Sequence, residues 1–482
     1  WMGEATAEAP RRRLSAAKLA NYETPDEAVR AFHHLATFAR NQAALFEAPA
    51  PSAARARHAK ASVSAVFASV LRDGRDTLTE PEAKQVLSCY GIPVVETAIA
   101  GTAQEAGAAA ARFAAPVALK ILSRQISHKS DVGGVRLDLE GASAVTAAAQ
   151  AMREAVERTA GEATIDGFTV QPTVKRPHAT ELILGAAQDP TFGPVLLVGQ
   201  GGVATEIVAD RAMGLPPLND VLAREMIART RVARLLAGYR NRAPADLDAV
   251  AQALLSLSDL VIDFPEIAEM DVNPLLADAD GVVALDARIV VRAPGLGGEP
   301  RLAIAPYPHA LEKTIALGGE PLQLRPIRPE DAPALLAMAE RTDPEHIYLR
   351  FHGATAPIDA AGVARLTQID YDREMALVAA ETSGAIAGVA RLLLEPGLER
   401  GEYAIIVRTD AQNAGLGHAL LQHLLIYARS RGARTIWSDV LTSNGPMLTL
   451  ARSLGATLRQ PGDAPGLTRT TFVLAPSQAE MA

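Results

Sequence analysis

A chain of 482 residues is too long for a single hydrophobic core, so two or three domains are expected. Its 49% hydrophobic and 21% charged residues are ordinary for a protein that folds in water, a net charge of −8 argues against general nucleic-acid binding, and no apolar run reaches the roughly 18 residues that cross a bilayer. The single cysteine, Cys89, excludes an internal disulfide framework and a cysteine-rich metal site; with no hydrophobic leader at the start, the expected compartment is the cytoplasm.

The chain opens on Trp1-Met2, and "NYETPDEAVRAFHHLATFARNQAALFEAP" follows as one helix. Thr24 is placed to cap it, with Pro25 at the first helical position. This opening reads as the middle of something longer. Residues 48 to 60, "APAPSAARARHAK", read as a linker rich in Pro, Ala and basic residues. From "LTEPEAKQVLSCYGIPVVE" the pattern becomes α/β, with a capped helix at Thr79 and Glu82 running into a strand. Strand-like runs recur at "PVALKIL", "GFTVQPTV", "TELILGA", "PVLLVGQGG" and "VVALDARIVV", alternating with helical runs up to about Arg292. Residues 293–320, rich in Gly and Pro, read as a second linker. A further unit over 321–475 begins with strand, turn and helix in "LQLRPIRPEDAPALLAMAER". It continues through a hairpin at Thr382-Ser383-Gly384 to the strand "GEYAIIVRTD".

That strand runs into Gln412-Asn413-Ala414-Gly415-Leu416-Gly417 and then an amphipathic helix. Glycines let backbone N–H groups approach an anion, and the helix N-terminus adds its dipole, so a phosphate is expected here. A Walker loop fails because His418-Ala419 stands where Lys-Ser/Thr is required. A dinucleotide fingerprint lacks its third small residue, which is Leu420, although Asp439 lies at a suitable distance. A tight turn without a ligand is the plain alternative.

With Asn444 and Gly455 in "SNGPMLTLARSLGA", the Gln-x-x-Gly-x-Gly pattern resembles the acetyl-CoA site of the GNAT family of N-acetyltransferases over about residues 321 to 475. The resemblance implies an α+β domain with a mixed central sheet. It puts the pantetheine arm of acetyl-CoA against Val407, its pyrophosphate on the N–H groups of Gln412, Asn413, Ala414, Gly415, Gly417 and His418, and Asn444 beside it. Many family members carry a tyrosine seven residues after the asparagine to protonate the leaving thiolate; this chain has Ala451. A lysine ammonium, with pKa about 10.4, must lose a proton before it can attack. Glu402, on the strand leading to the loop, is where the resemblance puts that base, with Glu381, Glu395 and Glu399 as runners-up.

The middle region holds Lys120 at a strand end, His128 in "SHKSDVGGV", Glu206 closing a glycine-rich stretch, and Asn273 and Asp286 on successive strand segments. Lysine for phosphates and hard oxygens for Mg²⁺ make this a nucleotide-and-metal constellation. "HKSDVGGV" with "DVNPL" resembles the ATP-grasp domain of ADP-forming acyl-CoA synthetases and succinyl-CoA synthetase β-chains over roughly residues 75–292. The resemblance implies ATP or ADP bound through Lys120, Glu181 and Glu206, Mg²⁺ on Asn273 and Asp286, and a phosphoryl relay at His128. It also implies a CoA-binding domain upstream, of which residues 1–60 read as the last remnant and linker.

The fold class expected is therefore α/β multidomain, an ATP-grasp domain followed by a GNAT domain. That order resembles the Pat-type bacterial protein lysine acetyltransferases. The resemblance implies direct acetyl transfer to a lysine on AMP-forming acyl-CoA synthetases, with the ligase-like region as a regulatory platform. It implies neither a membrane nor a nucleic-acid partner and leaves homo-oligomerisation open. The competing reading is a working ADP-forming acyl-CoA synthetase half with a transferase appended.

Overall fold

The computed structural model describes residues 4–45, 56–124, 126, 132–159, 165–202, 209–240, 242–292, 302–317, 320–351, 360–461 and 464–474. These form two compact units, residues 49–306, and residues 1–48 with 307–482. The chain opens with α1 (Glu4–Ala16) and α2 (Pro25–Leu45). At the start of α2 the backbone N–H of Glu27 donates to Thr24 Oγ1 at 3.2 Å, the cap expected from the sequence.

In the 49–306 unit, α3 (Ala56–Arg72) begins inside the segment read as a linker and leads to α4 (Glu80–Cys89). Thr79 and Glu82 form a capping box on α4, the Thr79 N–H donating to Glu82 Oε2 at 2.7 Å. There follow β1 (Ala98–Ala100), α5 (Ala103–Ala110), β2 (Val117–Leu122), β3 (Val135–Leu139), α6 (Gly141–Thr159) and β4 (Gly167–Pro172). The strands form an antiparallel sheet in the order β1-β4-β2-β3. Alanine lets helices pack closely, and Ala103, Ala106 and Ala109 of α5 meet Val145, Ala149 and Met152 of α6 in one core with Leu119, Ile121 and Phe168.

A second sheet of this unit takes β5 (Thr180–Asp189), β6 (Gly193–Gln200), β7 (Arg211–Gly214), β8 (Ile267–Asp278), β9 (Gly281–Ala284) and β10 (Ala287–Val291) in the order β10-β8-β5-β6-β7, with β9 also on β8. Its core joins the strands to α3, α4, α7 (Asp220–Ala228), α8 (Ala233–Leu236) and α9 (Leu247–Asp263), through Phe67, Leu87, Met226, Leu236, Leu254 and Leu257 among others.

The other unit is built on eight strands: β11 (Lys313–Leu317), β12 (Glu320–Pro326), β13 (Glu374–Glu381), β14 (Ile386–Leu394), β15 (Arg400–Val407), β16 (Thr435–Leu441), β17 (Thr457–Arg459) and β18 (Leu467–Val473). Their order is β11-β12-β13-β14-β15-β16-β18-β17, and only β15–β16 is parallel. The helices are α10 (Ala332–Glu340), α11 (Pro344–Phe351), α12 (Ala360–Thr367), α13 (Leu416–Ser430) and α14 (Gly445–Ser453). Leu420, Leu421 and Leu424 of α13 pack on Ala390, Leu392 and Tyr403 in one core, while Leu335, Met338 and Val363 pack on Ala376, Val378 and Ile386 in another.

The segment read as the 293–320 linker is partly built into this sheet. β11 pairs with β12 from Lys313↔Leu324 to Leu317↔Glu320. Just upstream, Tyr307 is buried, its hydroxyl donating to Pro326 O at 3.1 Å, with the Arg328 guanidinium 4.7 Å above its ring. Gly and Pro richness concealed a strand that tertiary pairing stabilises.

Beneath it Arg325 and Asp331, both buried, form a two-pronged ion pair with both contacts at 2.7 Å. Removing one partner leaves an uncompensated buried charge, which costs about 3–5 kcal/mol, whereas a well-packed apolar pair is often neutral. Asp331→Ala should therefore destabilise this unit by about that amount in urea unfolding. The Arg325→Met/Asp331→Leu double variant should recover most of the loss.

Candidate active site

The site in the sheet of eight arises where two parallel strands part. β15 and β16 pair at Arg400↔Thr435, Gly401↔Ile436 and Glu402↔Trp437 and then no further, although β15 runs on to Val407 and β16 to Leu441. On its other edge β15 stays paired with β14 through Gly388↔Val407. One edge of residues 403–407 is thus left without a strand. A cavity of about 500 Å³ opens there, walled by Glu402, Ala404 and Val407 of β15, Ser438 and Val440 of β16, and Asn444, Met447 and Leu450 beyond.

Gln412, Asn413, Gly415, Gly417 and His418 line one end of this cavity, with Val407; Ala414 does not. Thr409–Ala411 form a short 3₁₀ turn, Asn413 has a positive φ of 62°, and Gly415 caps α13 in the left-handed region at φ 86°. Glycine suits that conformation because it has no Cβ to clash. The first turn of α13 therefore presents unpaired N–H groups at the cavity. Arg408 anchors the loop from beneath, donating to Ile386 O at 3.1 Å and to Glu381 Oε1 at 2.6 Å. The Gln412 amide donates to Val407 O at 3.0 Å.

Glu402 is exposed at the point of divergence and lines the cavity. The runners-up do not line it. Glu381 is held by Arg408, Glu395 lies 3.8 Å from Arg400, and Glu399 lies 3.4 Å from Arg434. Ala451 is fully buried in the core under α14, so that helix offers no acid at this position. Asp439, the acid that made a dinucleotide site conceivable, is held by Arg469 through contacts of 2.8 and 2.6 Å.

The wall formed by α11 was not legible from sequence. Glu345, His346, Leu349 and Arg350 all line the cavity. His346 Nδ1 stands 3.1 Å from Thr409 Oγ1 and 3.3 Å from Gln412 Nε2, tying α11 to the loop. Arg350 lies near Glu402; burial first, and then the neighbouring Arg391, push its pKa down to about 10, with Glu402 acting in the opposite direction. The only sequence signal was the amphipathic spacing of "PEHIYLRF", which says which residues share a face but not what they face.

The constellation of the 49–306 unit is gathered around two centres. Lys120 Nζ donates to Glu80 Oε1 at 2.8 Å and to Asp286 Oδ2 at 3.1 Å. Lys84 Nζ meets the same Glu80 oxygen at 2.9 Å, Gln171 Oε1 at 2.6 Å and Thr97 Oγ1 at 3.0 Å. Burial lowers the Lys84 pKa, Glu80 partly offsets that, and the Lys120 charge lowers it again. Burial works against the Lys120 charge as well, but Glu80 and then Asp286 outweigh it, so its pKa is raised. Asp286 acts on both lysines but is hydrogen-bonded to Lys120.

At the other centre, Asn273 Oδ1 accepts from the Gly202 N–H at 3.0 Å. A Cβ on Gly202, where φ is 83°, would fall 2.0 Å from Glu181 Oε2. Glu181, Gly202 and Asn273 therefore converge. The registers Leu275↔Ala284 and Ala287↔Val272 bracket Asn273 and Asp286, which therefore lie on facing segments. An amide and a carboxylate oxygen on facing segments fit Mg²⁺, which commonly takes one or two protein oxygens and completes its shell with phosphates and water. Among the described residues no cluster of three or more His, Cys, Asp or Glu side chains could hold a metal by itself. His128 and Glu206 lie outside the described residues.

Both units of the chain resemble known proteins. Residues 69–291 match the model of the ATP-grasp domain and residues 341–456 that of the acetyltransferase (GNAT) family. A β subunit of acetate–CoA ligase [ADP-forming] I from Pyrococcus furiosus is 35% identical over 44% of this chain and 91% of its own length. The 4-hydroxybutyrate–CoA ligase [ADP-forming] of Nitrosopumilus maritimus is 37% identical over 48% of this chain, which spans only 33% of that enzyme. Among solved structures, a Ca. Korarchaeum cryptofilum acetyl-coenzyme A synthetase in complex with coenzyme A and Ca-AMPCP is 38% identical over 47% of this chain and 99% of its own, with a TM-score of 0.46. The GNAT domain of S. lividans PAT is 28% identical over 35% of this chain and 99% of its own, with a TM-score of 0.33. Through residues 69–291 the chain belongs to the ATP-grasp family that includes the β subunits of ADP-forming acetate–CoA ligases, and a GNAT acetyltransferase domain follows.

GNAT domains use acetyl-CoA, which gives the loop a direct test. A Cβ on Gly417 would come 3.3 Å from Leu450 Cδ2, a side chain that can yield, so the fold should tolerate substitution. A carboxylate there would oppose a pyrophosphate at the helix start. Gly417→Glu should abolish acetyl-CoA binding in calorimetry while circular dichroism stays native-like. Retained binding would place the coenzyme elsewhere.

Proposed function

We propose that the chain is a protein Nε-lysine acetyltransferase whose acceptor is a lysine of an AMP-forming acyl-CoA synthetase, with the ATP-grasp half as a nucleotide-binding regulatory region. The observation that carries the transferase reading is the cavity at the parting of β15 and β16, with a carboxylate at one end and an anion-binding loop at the other. The lysine acceptor and its target rest on the Pat-like order of the two domains.

The chemistry follows from the pKa of the acceptor. Glu402, directly or through one water, takes a proton from the lysine ammonium. The neutral nitrogen attacks the thioester carbonyl carbon. The C–N bond forms, the C–S bond breaks, and CoA leaves as a thiolate that is protonated from solvent while the amide nitrogen sheds its surplus proton. No acyl-enzyme is needed, since the transferase half contains no cysteine. Glu402→Gln keeps the shape and removes the base. It should lower kcat by on the order of 10² to 10⁴ with little change in acetyl-CoA affinity. Near-normal turnover from pH 6 to 9 would exclude Glu402 as the base. Tandem mass spectrometry of an AMP-forming acyl-CoA synthetase treated with acetyl-CoA and this protein should find a new Nε-acetyl-lysine. Acetylation of small amines alone would overturn the protein acceptor.

For the ATP-grasp half, the contact of Lys120 with Asp286, with Asn273 on the facing segment, supports binding of a magnesium nucleotide. A ligand that binds only the folded state raises its melting temperature by mass action. Mg-ATP or Mg-ADP should therefore raise it, and Asn273→Ala/Asp286→Ala should abolish that rise. Identical shifts in the two proteins would remove both residues from the site.

A further inference from the structure

Two of the groups around Lys120 belong to no sequence motif for nucleotide binding, yet they are more deeply buried than anything else in the cluster. The Glu80 side chain is 1% exposed and that of Lys84 4%, against 9% for Lys120 and 43% for Asp286. Glu80 lies at the first position of α4 and Lys84 one turn on, a spacing that on a free helix surface is worth only a few tenths of a kcal/mol. Here the pair is in the interior. Lys84 is tied by its three contacts to Glu80, Thr97 and Gln171 of β4. It therefore fixes the Glu80 carboxylate between α4 and the four-stranded sheet.

An ammonium has three protons to donate. Lys120 spends one on Glu80 at 2.8 Å and one on Asp286 at 3.1 Å, and its contact with Leu285 O is long at 3.5 Å. That third proton is left for one phosphate oxygen; to reach a second, Lys120 must release a carboxylate. Glu80 is enclosed and pinned by Lys84. Asp286 is nearly half exposed and lies on the segment facing Asn273, where a cation would need it. The two partners of Lys120 are thus unequal, one permanent and one exchangeable.

Resting on the reading of this half as a magnesium-nucleotide site, we propose that Glu80, locked by Lys84, is the positioning residue that keeps Lys120 aimed at the nucleotide phosphates, and that Asp286 leaves Lys120 for Mg²⁺ as the phosphates replace it. Metal and nucleotide each release the partner that the other needs. Their binding is then mutually favourable beyond the ordinary affinity of Mg²⁺ for ATP, with Asp286 as the pivot. Glu80 takes no part in the exchange and contributes equally whether or not the metal is there.

The roles differ in sign, which makes them separable. ATP is titrated calorimetrically into the full chain with Mg²⁺ and, separately, with EDTA, in saturating acetyl-CoA so that the transferase cavity cannot take up ATP. Asp286→Asn keeps the shape but weakens the hold on Lys120. It should tighten metal-free ATP binding about threefold or more while weakening Mg-ATP binding about tenfold, a factor of ten being 1.4 kcal/mol. General damage to the fold cannot tighten binding. Glu80→Gln should weaken both forms of ATP by a similar factor, about tenfold, as expected for losing one charged hydrogen bond. Should the two buried lysines without their carboxylate prevent folding, Glu80→Gln/Lys84→Met removes one charge of each sign and should show the same uniform loss. Asp286→Asn binding metal-free ATP no better than the unaltered protein would overturn the exchange. Unchanged affinity on loss of Glu80 would overturn its positioning role. An unaltered protein that binds ATP in neither condition would refute the nucleotide reading itself, and this inference with it.

Discussion

The transferase half depends on where a single strand pairing stops. Parallel pairing of β15 with β16 ends at Glu402. Up to that point the sheet is closed; beyond it residues 403 to 407 keep one edge free of strand partners. An extended ligand with amide groups, such as a pantetheine arm, can pair with that free backbone. The divergence also fixes what stands at each end. Glu402 occupies the last paired position, and the loop that α13 opens begins two residues after β15 ends. Tyr403, fully buried with its hydroxyl 2.6 Å from Thr470 Oγ1, pins the other face of β15 to the core and to β18. Glu402 and the loop are thereby set a fixed distance apart by one strand, the condition under which positioning lowers a barrier most.

The ATP-grasp half solves a different problem, that of keeping lysine charges in a region with little water. Burying an ammonium is costly unless it is paired and hydrogen-bonded. Glu80 serves two lysines with one oxygen, and Gln171 and Thr97 supply neutral acceptors to the more enclosed of them. Such a network has one definite arrangement. That suits a site whose ligand carries several negative charges, because the cations are oriented before it arrives.

Much of this was legible in the sequence because it is local. Glycine spacing after a strand marks a candidate anion loop, and Gln412 to His418, apart from Ala414 and Leu416, do line the cavity. Thr79 and Glu82 announce a helix start by a rule that needs no tertiary contact, and the capping box is there. What could not be read comes from residues far apart in the chain. Nothing in "PEHIYLRF" says that Arg350 will stand near Glu402, 52 positions later in the numbering of the chain. "LTEPEAK" shows a carboxylate and a lysine four apart, the usual mark of a solvated helix face, whereas packing against β4 buries both. β11 was hidden because its partner β12, rather than its own sequence, makes it a strand.

A bisubstrate molecule, a lysyl peptide of the proposed acceptor joined through its side-chain nitrogen to the sulfur of CoA by an acetyl bridge, tests the central claim most directly. It joins both reactants in one molecule and so avoids the entropic cost of bringing them together, and it should bind at least about 100-fold more tightly than acetyl-CoA. In a crystal of the complex the bridging carbonyl should lie between the parted ends of β15 and β16, with the lysine nitrogen within reach of Glu402 directly or through one water. A bisubstrate that binds no better than acetyl-CoA, or that carries its lysine away from Glu402, would contradict the assignment of this cavity to lysine acetylation.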